Sequence, residues 1–313
     1  MKQHLLTFAK LLVSLLLVGL LLHAVDPAPV FARMGRVNFP GISAVLALAL
    51  LETIIIGWRW QLIGRLCGAE LPFRESQELT FIGCFFNQTL PSTIGGDVVR
   101  VFLSGRAGIP IPRATVTVLA DRVMALLALI LLSAITLPLF FAIIHSHALR
   151  GALLLVAAGG IGGFAACLAL GEWFASFIPF RHIREFFTAF TRDMRHILPP
   201  GGREWLILGL SVLNHVLTVI IALMLARMMG IPLGFLEALV LIPPVILLTV
   251  LPVSLAGWGI REGAMVVILA EVGVAAADAL ALSLAFGLVF ALAGLPGGVV
   301  WLFKKGKTPH AET

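Results

Sequence analysis

The chain has 313 residues, of which 60% are hydrophobic and only 12% charged, with a mean hydropathy of +1.06; a soluble domain is about half apolar and about a quarter charged, so this balance excludes one. Lys and Arg outnumber Asp and Glu by 22 to 16, a net charge of +6, which fits basic flanks of membrane helices beside anionic lipid and not nucleic-acid binding. The three cysteines, Cys67, Cys84 and Cys167, have neither metal-ligand nor paired spacing and read as small buried residues.

A helix of about 20 apolar residues crosses a bilayer core about 30 Å thick. Six segments qualify, at about 5–25, 41–64, 114–144, 149–176, 204–227 and 276–303. The first reads as a retained helix and not a cleaved signal. With a cytoplasmic N-terminus, the inside flanks collect Lys2, Lys10, Arg59, Arg65, Arg74, Arg106, Arg113, Arg122, Arg181, Arg184, Arg192, Arg195, Arg203, Lys304, Lys305 and Lys307, against Arg33, Arg36, Arg150 and Arg227 outside. Trp58, Trp60, Trp173, Trp205 and Trp301 fall at the inside ends as interfacial anchors. Gly159 and Gly163 form a GxxxG in the fourth span, a sign of close helix packing. The stretch at about 180–203 separates Phe180, Phe186, Phe187, Phe190 and Ile197 from Arg184, Arg192 and Arg195, so it is either an interfacial amphipathic helix or a plain cytoplasmic connector.

Two further apolar segments, 79–106 and 235–273, are interrupted by proline and glycine, and their arms are too short to cross a bilayer. They read as re-entrant hairpins. Leu90-Pro91 through Arg100 and Leu251-Pro252 through Arg261 share Leu, Pro, Gly and Arg in register, 161 residues apart, which marks an internal repeat. Three crossings and one hairpin per half give the halves opposite orientation. The expected fold is therefore an all-α polytopic membrane protein with about six transmembrane helices and two re-entrant hairpins in an inverted repeat. It forms a single membrane domain of halves 1–144 and 149–303, with 304–313 as a cytoplasmic tail.

Irregular backbone at membrane depth needs a polar pocket to satisfy it. Ser92 or Thr93, and Ser254, are placed to cap the helix halves that follow the breaks. Such N-termini attract anions, and Arg100 and Arg261 add full charges there. Three readings stay open for these arginines. They pair with Asp97 and Glu262 and hold the fold; they bind a lipid phosphate while the two acids receive its cationic part or a coupling proton; or they snorkel to the interface. The candidate binding set is Asn87, Ser92, Thr93, Gly95, Gly96, Asp97, Arg100, Ser254, Gly257, Gly259, Arg261 and Glu262. Glu52 and Arg59, on one face of the second span, and Asp121 and Arg122, early in the third, read as packing pairs or anchors. With His215 and Glu237 they are also the candidates for coupling or gating. No P-loop, D-x-D, H-E-x-x-H or G-x-S-x-G motif occurs, so catalysis, a metal and a cofactor are not expected.

The run Asn87-x-x-Leu90-Pro91-x-x-x-Gly95-Gly96-Asp97-x-x-Arg100, the pair Asp121-Arg122 heading a long span, and Leu251-Pro252-x-x-x-x-Gly257-x-Gly259-x-Arg261-Glu262-Gly263 resemble the lysylphosphatidylglycerol synthase/flippase transmembrane family. The resemblance covers nearly the whole chain. It implies a bacterial inner-membrane protein whose relatives include a domain that moves aminoacylated phosphatidylglycerol between leaflets. After the last span come Lys304, Lys305 and Lys307 and no aminoacyl-transferase domain, so lipid aminoacylation is not expected. The expectation is a lipid translocase with membrane lipids, and a lipid-modifying enzyme, as candidate partners. The alternatives are an embedded transferase acting on a lipid-linked substrate, or a non-transporting partner of a lipid-modifying complex.

Overall fold

The computed structural model describes residues 27–90, 95–197, 203–250 and 257–305, together with Gly19. The expected first span, both proline breaks with Ser92, Thr93 and Ser254, and most of the tail lie outside these residues. Among the described residues the chain is helical throughout. A short α1 (Pro27–Met34) precedes α2 (Phe39–Leu66), which starts where the Asn38 side chain accepts the Gly41 amide at 2.8 Å, the usual work of an N-cap. Next, α3 (Phe73–Thr89) and α4 (Gly95–Arg106) flank the first break, and α5 (Ile111–Ile135) and α6 (Leu137–Ile143) follow. The second half runs through α7 (His147–Ser176), α8 (Arg181–Ile197) and α9 (Arg203–Met229). It continues into α10 (Phe235–Thr249) and α11 (Ile260–Ala270) around the second break, and ends in α12 (Ala276–Lys305).

Five of these, α2, α5, α7, the bulk of α9, and α12, are long and apolar enough to cross a membrane, so the chain is a multi-pass membrane protein. The expected span 114–144 is two helices. Pro138 has no amide hydrogen to continue α5, and the chain turns at Thr136, whose hydroxyl and amide both bond the Leu132 carbonyl, at 3.0 and 3.1 Å. The arms α3, α4, α10 and α11 have 17, 12, 15 and 11 residues, about 16 to 26 Å at 1.5 Å per residue, short of a bilayer core.

Packing in the two halves corresponds element by element. Helix α2 packs on α3 as α9 does on α10, and α4 packs on α5 as α11 does on α12; across the halves α3 meets α12 and α10 meets α5. Helices α2 and α9 lie antiparallel, because Glu52 meets Thr218 while Arg59 meets Ser211. Polar contacts gather the helix ends into two groups. At one, Lys304 at the end of α12 pairs with Glu75 and Glu78 at the start of α3, and Arg113 of α5 pairs with Asp193 of α8. At the other, Arg33 of α1 pairs with Asp278 at the start of α12, and Glu271 just after α11 accepts the amides of His145 and Ser146 before α7. The largest apolar core lies toward the second group, around Ile221, Leu225, Met229, Leu241, Ile242, Met265 and Leu282.

The amphipathic stretch forms α8, whose Phe190, Thr191 and Met194 are buried, while its Ile183 and Phe187, and Phe180 just before it, stay exposed. Two packing expectations need correction. Gly159 and Gly163 are exposed and have open space around them, so this GxxxG packs against none of the described residues. The close helix contact is instead between α12 and α3, where a Cβ on Gly297 would collide with the Phe81 carbonyl. Trp60 is not an interfacial anchor either, being only 2% exposed.

Because the obstacle at Gly297 is backbone, Gly297→Ala is expected to cost about 1–3 kcal/mol and lower the melting temperature in detergent, whereas Gly163→Ala leaves it unchanged or slightly higher. A second test uses pH. Burial opposes the charge on Glu78, but hydrogen bonds from Lys304 and Arg74 hold its carboxyl below the usual carboxylate range. A depressed folded value gives stability that is present above the unfolded value and lost as pH falls through the folded one. Melting of the parent should therefore fall more steeply than that of Glu78→Gln below about pH 4.3.

Candidate functional site

Three elements bring charge together beside the first break. Helix α4 begins at Gly95 and sets Asp97 and Arg100 one turn apart on one face. The Asn87 side chain of α3 accepts the Gly96 amide at 2.9 Å, and a Cβ on Gly96 would strike both that side chain and the Gly83 carbonyl. The two arms can therefore approach this closely only because a glycine starts the second one. Helix α2 supplies Arg59 and Trp60, and α5 supplies Asp121 and Arg122.

Asp121 takes both arginines of its neighbours, Arg59 Nε on Oδ1 at 2.7 Å and Arg100 Nη1 on Oδ2 at 3.3 Å. Asp97 takes Arg122 through two bonds, 2.7 and 3.1 Å, and lies 3.6 Å from Arg100 Nη1. Arg59 also donates to the Ser211 hydroxyl of α9 at 3.2 Å. The Arg100 guanidinium lies over the Trp60 ring at 4.1 Å, and the indole N–H donates to the Thr117 hydroxyl at 3.3 Å. Asp121, Arg59, Arg100 and Asp97 are all buried, but the Arg122 side chain is 48% exposed. Three guanidiniums thus face two carboxylates, leaving one positive charge in excess, and the buried Arg100 Nε has no acceptor among the described residues.

The second break is built alike with a different charge balance. Gly259, at φ +89°, starts α11 in a conformation that favours glycine, and the Glu262 carboxylate turns back to accept its amide. Arg261 bonds Glu262 at 2.7 Å and the Ser283 hydroxyl of α12 at 3.1 Å; that hydroxyl donates to Glu262 at 3.0 Å. The Trp258 ring lies 4.7 Å from the guanidinium. Each matched arginine therefore hooks the second arm onto the long helix that follows, 21 residues on for Arg100 and 22 for Arg261, beneath an indole. Here one cation meets one anion. Gly257 is also in the left-handed region, at φ +82°.

The pairs expected from sequence are re-sorted. Glu52 and Arg59 do not pair with each other, because Glu52 accepts from Thr218 at 2.7 Å. Asp121 and Arg122 point to different partners and are central, not peripheral. His215 Nε2 meets the Ala125 carbonyl at 2.9 Å. Glu237 caps its own helix by accepting the Gly234 amide at 2.8 Å. Thr117, Ser211, Thr218 and Ser283 were not singled out in the sequence, and Trp60 was expected at the interface and not over Arg100. Ser211, Asn214 and Thr218 do carry a signal, a polar stripe at helical spacing in an otherwise apolar span.

The family model for the TM region of lysylphosphatidylglycerol synthase matches residues 7–297 of the chain. Among curated proteins none matches it.

Asp121→Asn leaves two buried guanidiniums without their shared carboxylate and is expected to cost about 3–5 kcal/mol. Arg122→Gln, at the half-exposed edge, should cost clearly less. Thermal unfolding of the two variants in detergent checks the order.

Proposed function

The chain belongs to the lysylphosphatidylglycerol synthase TM-region family, and from that premise we propose that it is a translocase for an anionic or modified phospholipid. The headgroup passes between the two hairpins while the acyl chains stay in the bilayer. One observation carries this reading: among the described residues, the three-arginine, two-aspartate cluster beside the first break has an uncompensated positive charge and a guanidinium edge without an acceptor. A phosphate supplies the missing anion, and its oxygens match the planar fork of arginine.

In this reading Arg122, half exposed, meets the headgroup first and Arg100 takes it deeper, with Asn87, Gly95, Gly96 and Asp97 shaping the arm. Arg261 and Glu262, with Ser254, Gly257 and Gly259, do the same from the opposite face. Both arginines are covered by their own carboxylates in this conformation, so loading requires the hairpins to part. Arms shorter than the bilayer, corresponding packing in the two halves and antiparallel α2 and α9 support re-entrant hairpins in an inverted repeat. Arg65, Arg74, Arg106, Arg113, Arg181, Arg184, Arg192 and Arg195 lie toward the Lys304 end, which supports a cytoplasmic assignment for that end in a bacterial inner membrane. The activity is transport and not catalysis.

In proteoliposomes carrying headgroup-labelled lipids, the parent should move anionic lipid faster than zwitterionic lipid. Folded Arg100→Ala and Arg261→Ala should each slow that movement about tenfold or more, as expected for loss of a charged hydrogen bond worth about 1.5–3 kcal/mol. A parent that moves no lipid under any ion gradient, or variants that match it, would contradict the proposal.

A further inference from the structure

Helices α2 and α9 face each other through two polar rungs about two turns apart. The Arg59–Ser211 rung belongs to the ion cluster, but the Glu52–Thr218 rung does not. Glu52 is 3% exposed, accepts one hydrogen bond, from the Thr218 hydroxyl at 2.7 Å, and makes no ion pair among the described residues.

On the helices packed against α2, Arg227 of α9 and His182, Arg184 and Arg192 of α8 are exposed, and the following charged and titratable groups are engaged elsewhere. On α5, Asp121 and Arg122 hold Arg59 and Asp97; on α9, His215 sits on the Ala125 carbonyl. On α12, Lys304 holds Glu75 and Glu78 of α3, and Asp278 holds Arg33. On α8, Asp193 holds Arg113 and Arg195 holds Glu172. Cys84 of α3 lies beside Thr53, the neighbour of Glu52. A carboxylate this deep in an apolar span, with one neutral donor and no cation, is costly, and intramembrane acids of this kind mark proton relays.

The hydrogen-bond geometry fits two protonation states. The Thr218 hydroxyl lies 2.7 Å from the Glu52 carboxyl and 3.1 Å from the Asn214 carbonyl, but it has one proton to donate. With Glu52 ionised, the hydroxyl donates to the carboxylate. With Glu52 protonated, the acid donates to the hydroxyl oxygen and the hydroxyl turns to the Asn214 carbonyl. No other side chain has to move. One turn away, the Asn214 side-chain oxygen is buried without a donor among the described residues, an acceptor for a water or a proton-bearing group beside this switch.

We propose that Glu52 is a proton-binding site and that it loads and unloads one proton for each anionic headgroup moved. This rests on the translocase reading above. The step is a proton transfer between water and the Glu52 carboxylate, forming or breaking one O–H bond. A singly charged anion and a proton cross together without net charge.

The test uses the full chain in proteoliposomes of anionic lipid, with the membrane potential clamped and a pH gradient imposed, beside infrared difference spectra between alkaline and acidic buffer. One pH unit should sustain about a tenfold lipid asymmetry at one proton per lipid, and Glu52→Gln should abolish it. The parent should show a carboxylic-acid carbonyl band that Glu52→Gln lacks and that Thr218→Val shifts. An asymmetry that survives in Glu52→Gln, or the absence of a Glu52 band at every pH, would overturn the proposal. If the parent moves no lipid but the Glu52 band is present, the proton site stands and the translocase reading fails with its coupling.

Discussion

Asp121 is the contact on which the first half of the molecule depends. In an interior with little water, its two oxygens hold Arg59 from the second helix and Arg100 from the short arm after the break. Neither arginine could remain at this depth alone, since an isolated buried cation costs more than the local packing returns. The carboxylate therefore fixes three elements at once, and the remaining contacts build outward from it. Trp60 covers Arg100 and is itself held by Thr117, Ser211 takes a free edge of Arg59, and Asp97 carries the network on to Arg122. A twelve-residue arm that cannot span a bilayer is held in place by charge and not by length.

The corresponding arginine of the second half solves the same problem with fewer charges. Glu262 neutralises it from the next position in the chain, and Ser283 ties both to the long helix. The difference in charge balance matters more than the likeness in position. One-to-one pairing leaves nothing to recruit, whereas three cations on two anions leave a standing demand for a third anion.

Much of this was legible in the sequence because it is governed by local chemistry. Apolar run length marks five of the six expected spans, the first lying outside the described residues, and each proline–glycine break falls between two short helices. The shared spacing of Pro91 and Arg100 with Pro252 and Arg261 points to an internal repeat, and the two arginines do sit alike, each bonding the long helix that follows. What was not legible is pairing over distance. Nothing near Arg100 in the chain announces Asp121, and Glu52 and Arg59 look like partners on one helix face when each bonds another helix. The glycines show the same limit. Gly159 and Gly163 have the familiar spacing yet face outward, while Gly297 lies where two helices nearly touch, a fact fixed only by how α12 crosses α3. Pro138 divides the third span because its missing amide falls at the end of α5, while Pro243 and Pro244 lie inside α10 without ending it.

On the proposed function, the Arg59, Arg100 and Arg122 cluster receives the phosphate of an anionic headgroup. Electron cryo-microscopy of the protein in nanodiscs of anionic lipid tests it most directly, because it reads the position of bound phosphate without requiring turnover. Headgroup density is expected within hydrogen-bonding reach of Arg122 and Arg100, with Asp97 displaced from at least one of them. A cluster that stays closed, with headgroup density confined to the outer rim of the helices, would contradict it.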